Sequence, residues 1–181
     1  MDRRDLVERA RRGDHDAFAQ LTAADLGRLY GAAHLLLGQT EPAQDAVQDT
    51  LLEAWRGLPS LRDASRYDAW VHRLLVRSCY RQRKWNHPSD SAFGRDRTTD
   101  GAFDAVEDRE QLERGFRRLP AEQRAVLVMR FYLDLSLADV AASLGLPEGT
   151  VKSRIHRGLA SLRAALEADA RHPYRLPEGL I

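Results

Sequence analysis

The chain has 181 residues, of which 43% are hydrophobic and 30% are charged, an ordinary composition for a globular protein with a core. Its formal charge of +1 excludes nothing by itself, so only the distribution of charge along the sequence can point to a partner. The single cysteine, Cys79, excludes an internal disulfide and fits a reducing cytoplasm. No apolar stretch approaches the ~20 residues that cross a bilayer, and the charged first residues do not resemble a signal peptide. We therefore expect a cytoplasmic protein without membrane insertion.

Helical spacing of apolar residues runs through almost the whole sequence, while strand-like alternation is rare. This pattern predicts an all-α fold. The first helix should end at Gly13, and the second should begin after Asp14 or Asp16 as its cap and end at Gly38. Thr40 is expected to cap the third helix.

A row of four acidic residues follows one face of the predicted third helix, at about residues 41–58. Glu41, Asp45, Asp49 and Glu53 stand four residues apart, and like charges at this spacing repel by a few tenths of a kcal/mol per pair. The helix dipole favours the acids near the start of the helix, but Glu53 is too far along to benefit. We interpret the row as an acidic face for a basic partner surface, and the alternative is a merely solvated acidic face.

The predicted fourth helix, at about residues 67–85, follows a polar break at residues 59–66 and becomes positively charged in its second half. No acid interrupts its bases, which are interleaved with aromatic residues. These residues are Arg73, Arg77, Arg81, Arg83 and Lys84, with Tyr80 and Trp85. Such a mixture suits phosphate contacts and base stacking, whereas in the alternative the aromatics lie in the core and the arginines in water. We favour nucleic acid for the arginines, and the core for Trp70.

Residues 87–104 are predicted to form an acidic flexible linker, because they contain few apolar residues, scattered Gly, Ser, Thr and Pro, and no helical period. The linker separates a first domain, residues 1–86, from a second domain, residues 105–171. The tail, residues 172–181, contains two prolines and cannot continue the last helix. A linker of about twenty residues spans at most ~70 Å, which is also the length of two turns of DNA.

The second domain contains a predicted helix-turn-helix at residues 135–163. Ser136 suits the cap of its first helix, Asp139 stands where a capping box places an acid, and Gly145 can adopt the left-handed conformation that ends the helix. The second helix has an apolar inner face and a basic outer face. We predict that it enters a DNA major groove, and the alternative is an ordinary helical hairpin with a solvated basic face.

Sequence motifs of catalysis and metal binding are absent. There is no Gly-rich phosphate loop, no CxxC and no HExxH, and none of the six histidines pairs with another His or Cys at ligand spacing. We therefore expect no enzyme activity, no cofactor and no metal site.

Several stretches resemble one protein family. Residues 43–55 resemble the core-binding helix of bacterial RNA polymerase sigma factors of the extracytoplasmic-function (ECF) group in the sigma-70 family. Residues 61–77 are similar to the segment that recognises the −10 promoter element, and residues 119–126 and 149–155 are similar to the −35-binding domain. The resemblance covers about residues 5–167, and the order and spacing of the stretches make it specific.

The resemblance implies two small helical domains that bind core RNA polymerase and direct promoter recognition, DNA melting and transcription initiation. By position, it implies core-polymerase contacts through Asp45, Gln48, Asp49, Leu52 and Glu53. It assigns the −10 element to Leu61, Arg62, Asp63, Ala64, Ser65, Arg66, Arg73, Arg77 and Arg81. It assigns the −35 element to Lys152, Ser153, Arg154, His156 and Arg157.

The implied partners are promoter DNA, the clamp coiled coil of the largest polymerase subunit, the polymerase flap, and an anti-sigma factor. The sequence departs from the family at Arg77, where Asn is frequent, and at Glu53, where a base is frequent. These departures leave the −10 base preference and one clamp contact open. Two rivals remain: a stand-alone helix-turn-helix regulator with an N-terminal dimerisation or sensor domain, and a protein-binding adaptor.

Overall fold

The computed structural model describes residues 2–85 and 103–170, and every regular element within these two ranges is helical. The first domain contains α1 (Arg3–Arg11), α2 (His15–Leu37), α3 (Thr40–Gly57) and α4 (Tyr67–Trp85). The second contains α5 (Phe103–Arg118), α6 (Ala121–Leu127), α7 (Leu137–Leu144) and α8 (Glu148–Ala170). The predicted all-α fold is confirmed. Most of the predicted linker, residues 87–102, and the tail lie outside the described residues.

Helix boundaries follow local capping chemistry. Asp14 caps α2 by accepting a hydrogen bond from the Ala17 amide at 3.0 Å. Gly38 ends the same helix at a φ of 73°, a conformation that costs glycine little. The prediction for Thr40 was wrong, because the chain turns helical one residue earlier. Gln39 occupies the N-cap position, where its side chain makes no capping hydrogen bond, and Thr40 is already in the helix.

The first domain encloses one of its two clusters of buried side chains between α1, α2, α3 and the start of α4. Two 3-10 turns, Leu58–Ser60 and Ala64–Arg66, connect α3 to α4 and place Leu61 in this cluster. Arg3 ties α1 to the rest of the domain through ion pairs with Asp25 at 2.7 Å and Asp68 at 2.6 Å. Leu58 before the polar break and Tyr67 after it are both buried in this cluster, so both ends of the break are anchored in the core of the domain.

The second domain packs α8 against α5, α6 and α7. Beyond Leu127, α6 changes into a π-helical segment, Val128–Tyr132, which the sequence pattern did not reveal. Asp134 then adopts a φ of 58°, and the Leu135 amide bonds back to the Met129 carbonyl at 3.0 Å. This local widening of the helix sets the direction in which the chain enters the helix-turn-helix.

The two domains pack against each other, a relationship that the sequence analysis did not anticipate. Helices α2 and α4 contact the second domain at α5, α6, the π-helical segment and α7. One cluster of buried side chains includes members of both domains. They include Leu29, Ala33, Leu36, Leu75, Val76 and Cys79 of the first domain and Phe116, Leu119, Ala125, Val126 and Met129 of the second. The domains thus share a core, which positions the helix-turn-helix beside α4.

Candidate protein and nucleic-acid interfaces

An apolar groove lies on the outer side of the first domain between α2 and α3. Its volume is about 810 Å³, and Leu26 and Leu52 on its walls are each 48% exposed. The Trp55 ring packs against His15 and Phe18, with ring centroids 4.4 Å and 5.0 Å apart. The groove is lined by His15, Phe18, Leu26, Gly27, Tyr30, Gln44, Val47, Gln48, Leu51, Leu52 and Trp55. An open apolar surface of this kind is typical of a site that binds another protein.

The predicted core-polymerase contacts lie in or beside this groove. Gln48 and Leu52 line it, and the 100° helical step places Asp45 and Asp49 on the adjoining face of α3. Within the described parts of the chain these two acids form no ion pair. Glu53 differs, because its carboxylate lies 2.6 Å from the Arg81 guanidinium of α4. Asp45 and Asp49 are therefore available to a partner, whereas Glu53 at the end of the row is already paired with Arg81.

The segment predicted to contact the −10 element forms an exposed loop on buried anchors. Leu61 and Ala64 are buried, whereas Arg62, Ser65 and Arg66 are exposed. The Ser65 hydroxyl and amide donate to the Asp63 carboxylate at 2.7 Å and 2.9 Å, and these bonds hold the pKa of Asp63 below its ordinary value. An Asp63 kept ionised in this way fixes the turn that leads into α4.

The three arginines predicted for the −10 element have different surroundings. Arg77 is exposed. Arg73 lies 3.3 Å from the carboxylate of Asp139 in the second domain, and Arg81 is paired with Glu53. Only one of the three side chains is thus directed to solvent without an acidic partner among the described residues.

The helix-turn-helix is built as its local signals predicted. The Ser136 hydroxyl accepts from the Asp139 amide at 3.1 Å and donates to the Asp139 carboxylate at 2.7 Å. Gly145 ends α7 at a φ of 64°. Val151 of α8 is fully buried against the domain core, which turns the opposite face of α8 outward.

The outward face of α8 carries four of the five residues predicted for the −35 element. Lys152, Ser153, His156 and Arg157 are exposed. Arg154 instead forms an ion pair with Glu122 of α6 at 2.9 Å, with its side chain 22% exposed. Lys152, His156 and Arg157 make this exposed face basic, as expected for the second helix of a helix-turn-helix that enters a DNA major groove.

The sequence analysis missed the contribution of α2 to the groove. Phe18, Leu26 and Tyr30 were available as apolar residues at helical spacing, but their spacing does not show which of them a neighbouring helix leaves uncovered. The described residues with large pKa shifts lie elsewhere. Burial raises the pKa of Cys79 to about 12 and lowers that of His72 to about 4. Both groups are packed inside the protein and not in an open cleft, so their shifts report burial and not a reactive site.

Comparisons with known proteins agree with the two domains. Residues 21–86 match the family described as Sigma-70 region 2, and residues 109–162 match Sigma-70, region 4. The chain is 38% identical over 160 residues to ECF RNA polymerase sigma factor SigM of Mycobacterium tuberculosis, covering 85% of this chain and 79% of that protein. It is 28% identical over 176 residues to ECF RNA polymerase sigma factor SigW of Bacillus subtilis, covering 88% and 94%.

Two solved structures are similar over most of the chain. One is the sigma factor RpoE in complex with the anti-sigma factor NepR from Bartonella quintana, with a TM-score of 0.70, 29% identity, and coverage of 84% of this chain and 98% of that one. The other is CnrH in complex with the cytosolic domain of CnrY, with a TM-score of 0.69, 28% identity, and coverage of 93% and 99%.

The helical domain with the groove matches Sigma-70 region 2 and the helix-turn-helix domain matches Sigma-70, region 4, so the chain belongs to the sigma-70 class of transcription initiation factors. Within that class the chain belongs to the ECF RNA polymerase sigma factors. It binds RNA polymerase and provides promoter recognition. This membership decides against the stand-alone regulator and the adaptor. Among the described residues, none of the helices has the length and hydropathy of a bilayer-spanning segment.

Proposed function

We propose that this sigma factor docks on core polymerase through the groove between α2 and α3 and the acidic row beside it. The observation that carries the proposal is the arrangement on α3, where Gln48 and Leu52 line the groove while Asp45 and Asp49 flank it. An amphipathic helix with an apolar face and flanking bases matches this surface, and a basic clamp coiled coil has that chemistry. The second domain would face the polymerase flap.

A paired charge reversal tests the docking surface. Asp45→Lys with Asp49→Lys should weaken binding to core polymerase by about tenfold or more, because attraction to a basic partner becomes repulsion. Asp2→Lys with Asp5→Lys is the matched control, since both acids are exposed at the start of the first domain and neither lines the groove: Asp2 precedes α1 and Asp5 lies in its first turn. Affinity is measured by fluorescence anisotropy of labelled sigma factor. An equal loss in both double variants would contradict the proposal.

For the −10 element, the proposal assigns direct contacts to exposed groups and support to buried ones. Arg62, Ser65 and Arg66 are exposed on the loop before α4 and are available to a flipped base or a phosphate. Leu61 and Ala64 are buried, so their part is to hold the loop in position. Arg77 continues this surface along α4 and would hold the separated strands.

For the −35 element, the proposal places α8 in the major groove with Lys152, Ser153, His156 and Arg157 toward the DNA. Arg157→Ala should cost ~1–3 kcal/mol at one base position if the guanidinium reads a base edge. Arg163→Ala is the control, because Arg163 is an exposed arginine nearer the C-terminal end of α8 and outside the predicted −35 set. Run-off transcription on a series of −35 substitutions provides the readout. A loss that is uniform over all sequences would argue for a phosphate contact instead.

The proposal also includes an anti-sigma factor and a cellular location. The two similar solved structures are complexes, one of them named as a sigma factor with its anti-sigma factor. An anti-sigma factor that covers the exposed groove on the first domain would block core binding directly. We place the protein in the cytoplasm, where promoter and polymerase meet, and assign it no enzyme activity, since its action is binding alone.

A further inference from the structure

Helix α1 packs directly against the loop that is proposed to contact the −10 element. It touches both of the 3-10 turns that bound this loop, Leu58–Ser60 and Ala64–Arg66. Val7 and Ala10 of α1 are buried in the same cluster as Leu61, an anchor of the loop. The loop therefore rests on α1, and exposed side chains of the two segments can share one surface.

The first turn of α1 is fixed to the residues that follow this loop. Arg3 donates to the Asp68 carboxylate from Nε at 3.0 Å and from Nη2 at 2.6 Å, and to the Asp25 carboxylate from Nη2 at 2.7 Å. Its guanidinium also lies over the ring of the buried Tyr67, 5.5 Å from the ring centroid. Because Tyr67 and Asp68 come directly after the loop, Arg3 sets the position of the start of α1 relative to the loop.

Arg4, the next residue, has no such partners. Its side chain is exposed, and among the residues that the structure describes it forms no ion pair. A cation in the first turn of a helix is opposed by the helix dipole, and the Asp2 side chain makes no capping hydrogen bond that would offset this. The local chemistry of the helix therefore gives no reason for an arginine at this position.

The charge of Arg4 acts on Asp63 within the loop. Hydrogen bonds from Ser65 are the main cause of the low pKa of Asp63, and the positive charges of Arg4 and Arg66 lower it further. Arg62 directly precedes the same carboxylate in the sequence. Arginines from α1 and from the loop thus lie near one acid.

Positive charge exceeds negative charge in this arginine cluster, Arg4, Arg62 and Arg66. Asp63 is the acid of the loop, and one of its oxygens already accepts two hydrogen bonds from Ser65. None of the three arginines forms an ion pair with a residue that the structure describes. Guanidinium groups without internal partners suit an external anion, and a nucleic-acid strand supplies phosphates at regular intervals. Continuity with the loop identifies the strand as the one that the loop holds.

We propose that α1 belongs to the promoter-binding surface and that Arg4 contacts a phosphate of the single-stranded −10 DNA. This inference rests on the proposed −10 role of the loop, since the loop brings the strand to α1. It adds a residue outside the family match, because the match to Sigma-70 region 2 begins at residue 21. A phosphate contact carries no base preference, so α1 adds affinity without sequence specificity.

Binding of the holoenzyme to labelled single-stranded −10 DNA, taken from a promoter that it transcribes, tests the proposal by fluorescence anisotropy. Arg4→Ala should weaken binding about three- to fivefold, the range of an exposed ion pair. The slope of log affinity against log salt concentration should become shallower by ~0.7, the value for one phosphate contact on a single strand. Arg4→Lys should retain most of the affinity, since an ammonium group also binds a phosphate.

The matched control is Arg12→Ala, because Arg12 is an exposed arginine at the other end of α1. All of these variants should bind core polymerase equally, because no residue of α1 lines the groove. Neutral links in the DNA then locate the contact. Replacing one phosphate at a time by methylphosphonate should weaken wild-type binding at the position that Arg4 contacts, and that replacement should have no effect in Arg4→Ala.

A structural role for Arg4 would give a different set of results. Arg4→Ala would then unfold at a lower urea concentration than wild type, and its salt slope would be unchanged. We expect no decrease in the urea midpoint, because the substitution removes a cation from the positive end of a helix. An unchanged salt slope, or the same methylphosphonate profile in wild type and Arg4→Ala, would overturn the phosphate contact.

Arg66→Ala separates this inference from the proposed function. If Arg66→Ala weakens binding of the −10 strand and Arg4→Ala does not, the contact from α1 is refuted and the −10 role of the loop stands. If neither substitution changes the affinity, the −10 assignment of the loop fails as well. Losses at both positions, with the control unchanged, support a surface that extends from the loop onto α1.

Discussion

The carboxylate of Glu53 on α3 lies 2.6 Å from the guanidinium of Arg81 on α4, so the acidic row and the basic row of the first domain meet in one ion pair. The side chains are 37% and 50% exposed, and solvent screening keeps the contribution of such a pair to stability within about 1 kcal/mol. The pair matters because of where it lies: Glu53, a predicted polymerase contact, neutralises the charge of Arg81, a predicted promoter contact. Glu53 is also one of the two positions at which the sequence departs from the family.

Releasing Arg81 should strengthen DNA binding without weakening the fold. Glu53→Gln removes the charge that holds the guanidinium, so we expect up to a few-fold tighter binding of single-stranded −10 DNA by the isolated sigma factor, measured by anisotropy. The free energy of unfolding in urea should change by less than about 1 kcal/mol. Glu8→Gln is the control, since Glu8 pairs with Arg11 on α1. If the gain persists when Arg81→Ala is added, it does not act through Arg81.

Filling the groove should uncouple stability from polymerase binding. Gly27 lies on the groove wall in the middle of α2, and a Cβ placed there would meet nothing within 4 Å. Gly27→Leu should therefore raise the free energy of unfolding by up to about 1 kcal/mol, the helix-propensity difference. The same leucine would occupy the space of an incoming helix, and core affinity should fall at least tenfold. Normal core affinity in a stabilised variant would mean that the polymerase binds elsewhere.

Arg124 should be far more important for stability than an exposed arginine. It is 6% exposed and donates to the carbonyls of Leu36, Arg117 and Leu119 at 3.1–3.2 Å. Arg124→Met keeps much of the apolar stem but removes the donors, and we expect a loss of about 2–4 kcal/mol in urea unfolding. Arg163→Met, on the surface of α8, should cost less than about 0.5 kcal/mol. Similar losses at both positions would refute a structural role for the buried guanidinium.

His72 should make the fold less stable in mild acid. Burial lowers its pKa from 6.5 to about 4, an effect to which the nearby Arg28 adds and which Asp68 opposes. As the pH falls below 6.5 the unfolded chain takes up a proton that the folded chain does not accept until about pH 4. Stability is therefore highest above pH 6.5 and decreases across this window by at most about 3 kcal/mol.

The measurement for His72 compares slopes and not absolute values, because surface carboxylates titrate in the same range. Urea unfolding at several pH values between 4 and 7 should give a shallower dependence for His72→Gln, a neutral polar variant, than for wild type. His156→Gln is the matched control, because His156 is exposed. A His72→Gln profile parallel to wild type would show that this imidazole is not the group responsible.

The helix-turn-helix could be predicted residue by residue because its signals are local. Ser136 caps a helix through an amide three residues away, and Gly145 ends it by its own backbone conformation. Neither feature depends on a distant part of the chain. The bounds of α4 were predicted equally well, since the preceding turn formers and the apolar spacing both lie within one short stretch.

The contacts between the domains could not be predicted, because they join residues about a hundred positions apart. Arg124 bonds to a carbonyl 88 residues earlier, and Arg28 to one 104 residues later. An arginine within an apolar run does indicate a buried guanidinium that needs hydrogen-bond acceptors. The sequence does not show which carbonyl groups accept from it. The groove could not be predicted for the same reason, since the apolar residues of α3, among them Val47, Leu51 and Trp55, have the spacing of a fully buried face until the neighbouring helices are seen.

Cys79 is the single sulfhydryl of the chain, and it is 3% exposed beside Ala121 and Ala125 of the second domain. Burial raises its pKa to about 12, so almost no thiolate is present while the domains are together. In the unmodified protein the rate at which an alkylating reagent consumes this thiol, followed by mass spectrometry, therefore reports how often Cys79 becomes exposed. Polymerase, promoter DNA or an inhibitor can each be added to that reaction. A faster or slower rate then shows whether the added partner increases or decreases the exposure of Cys79.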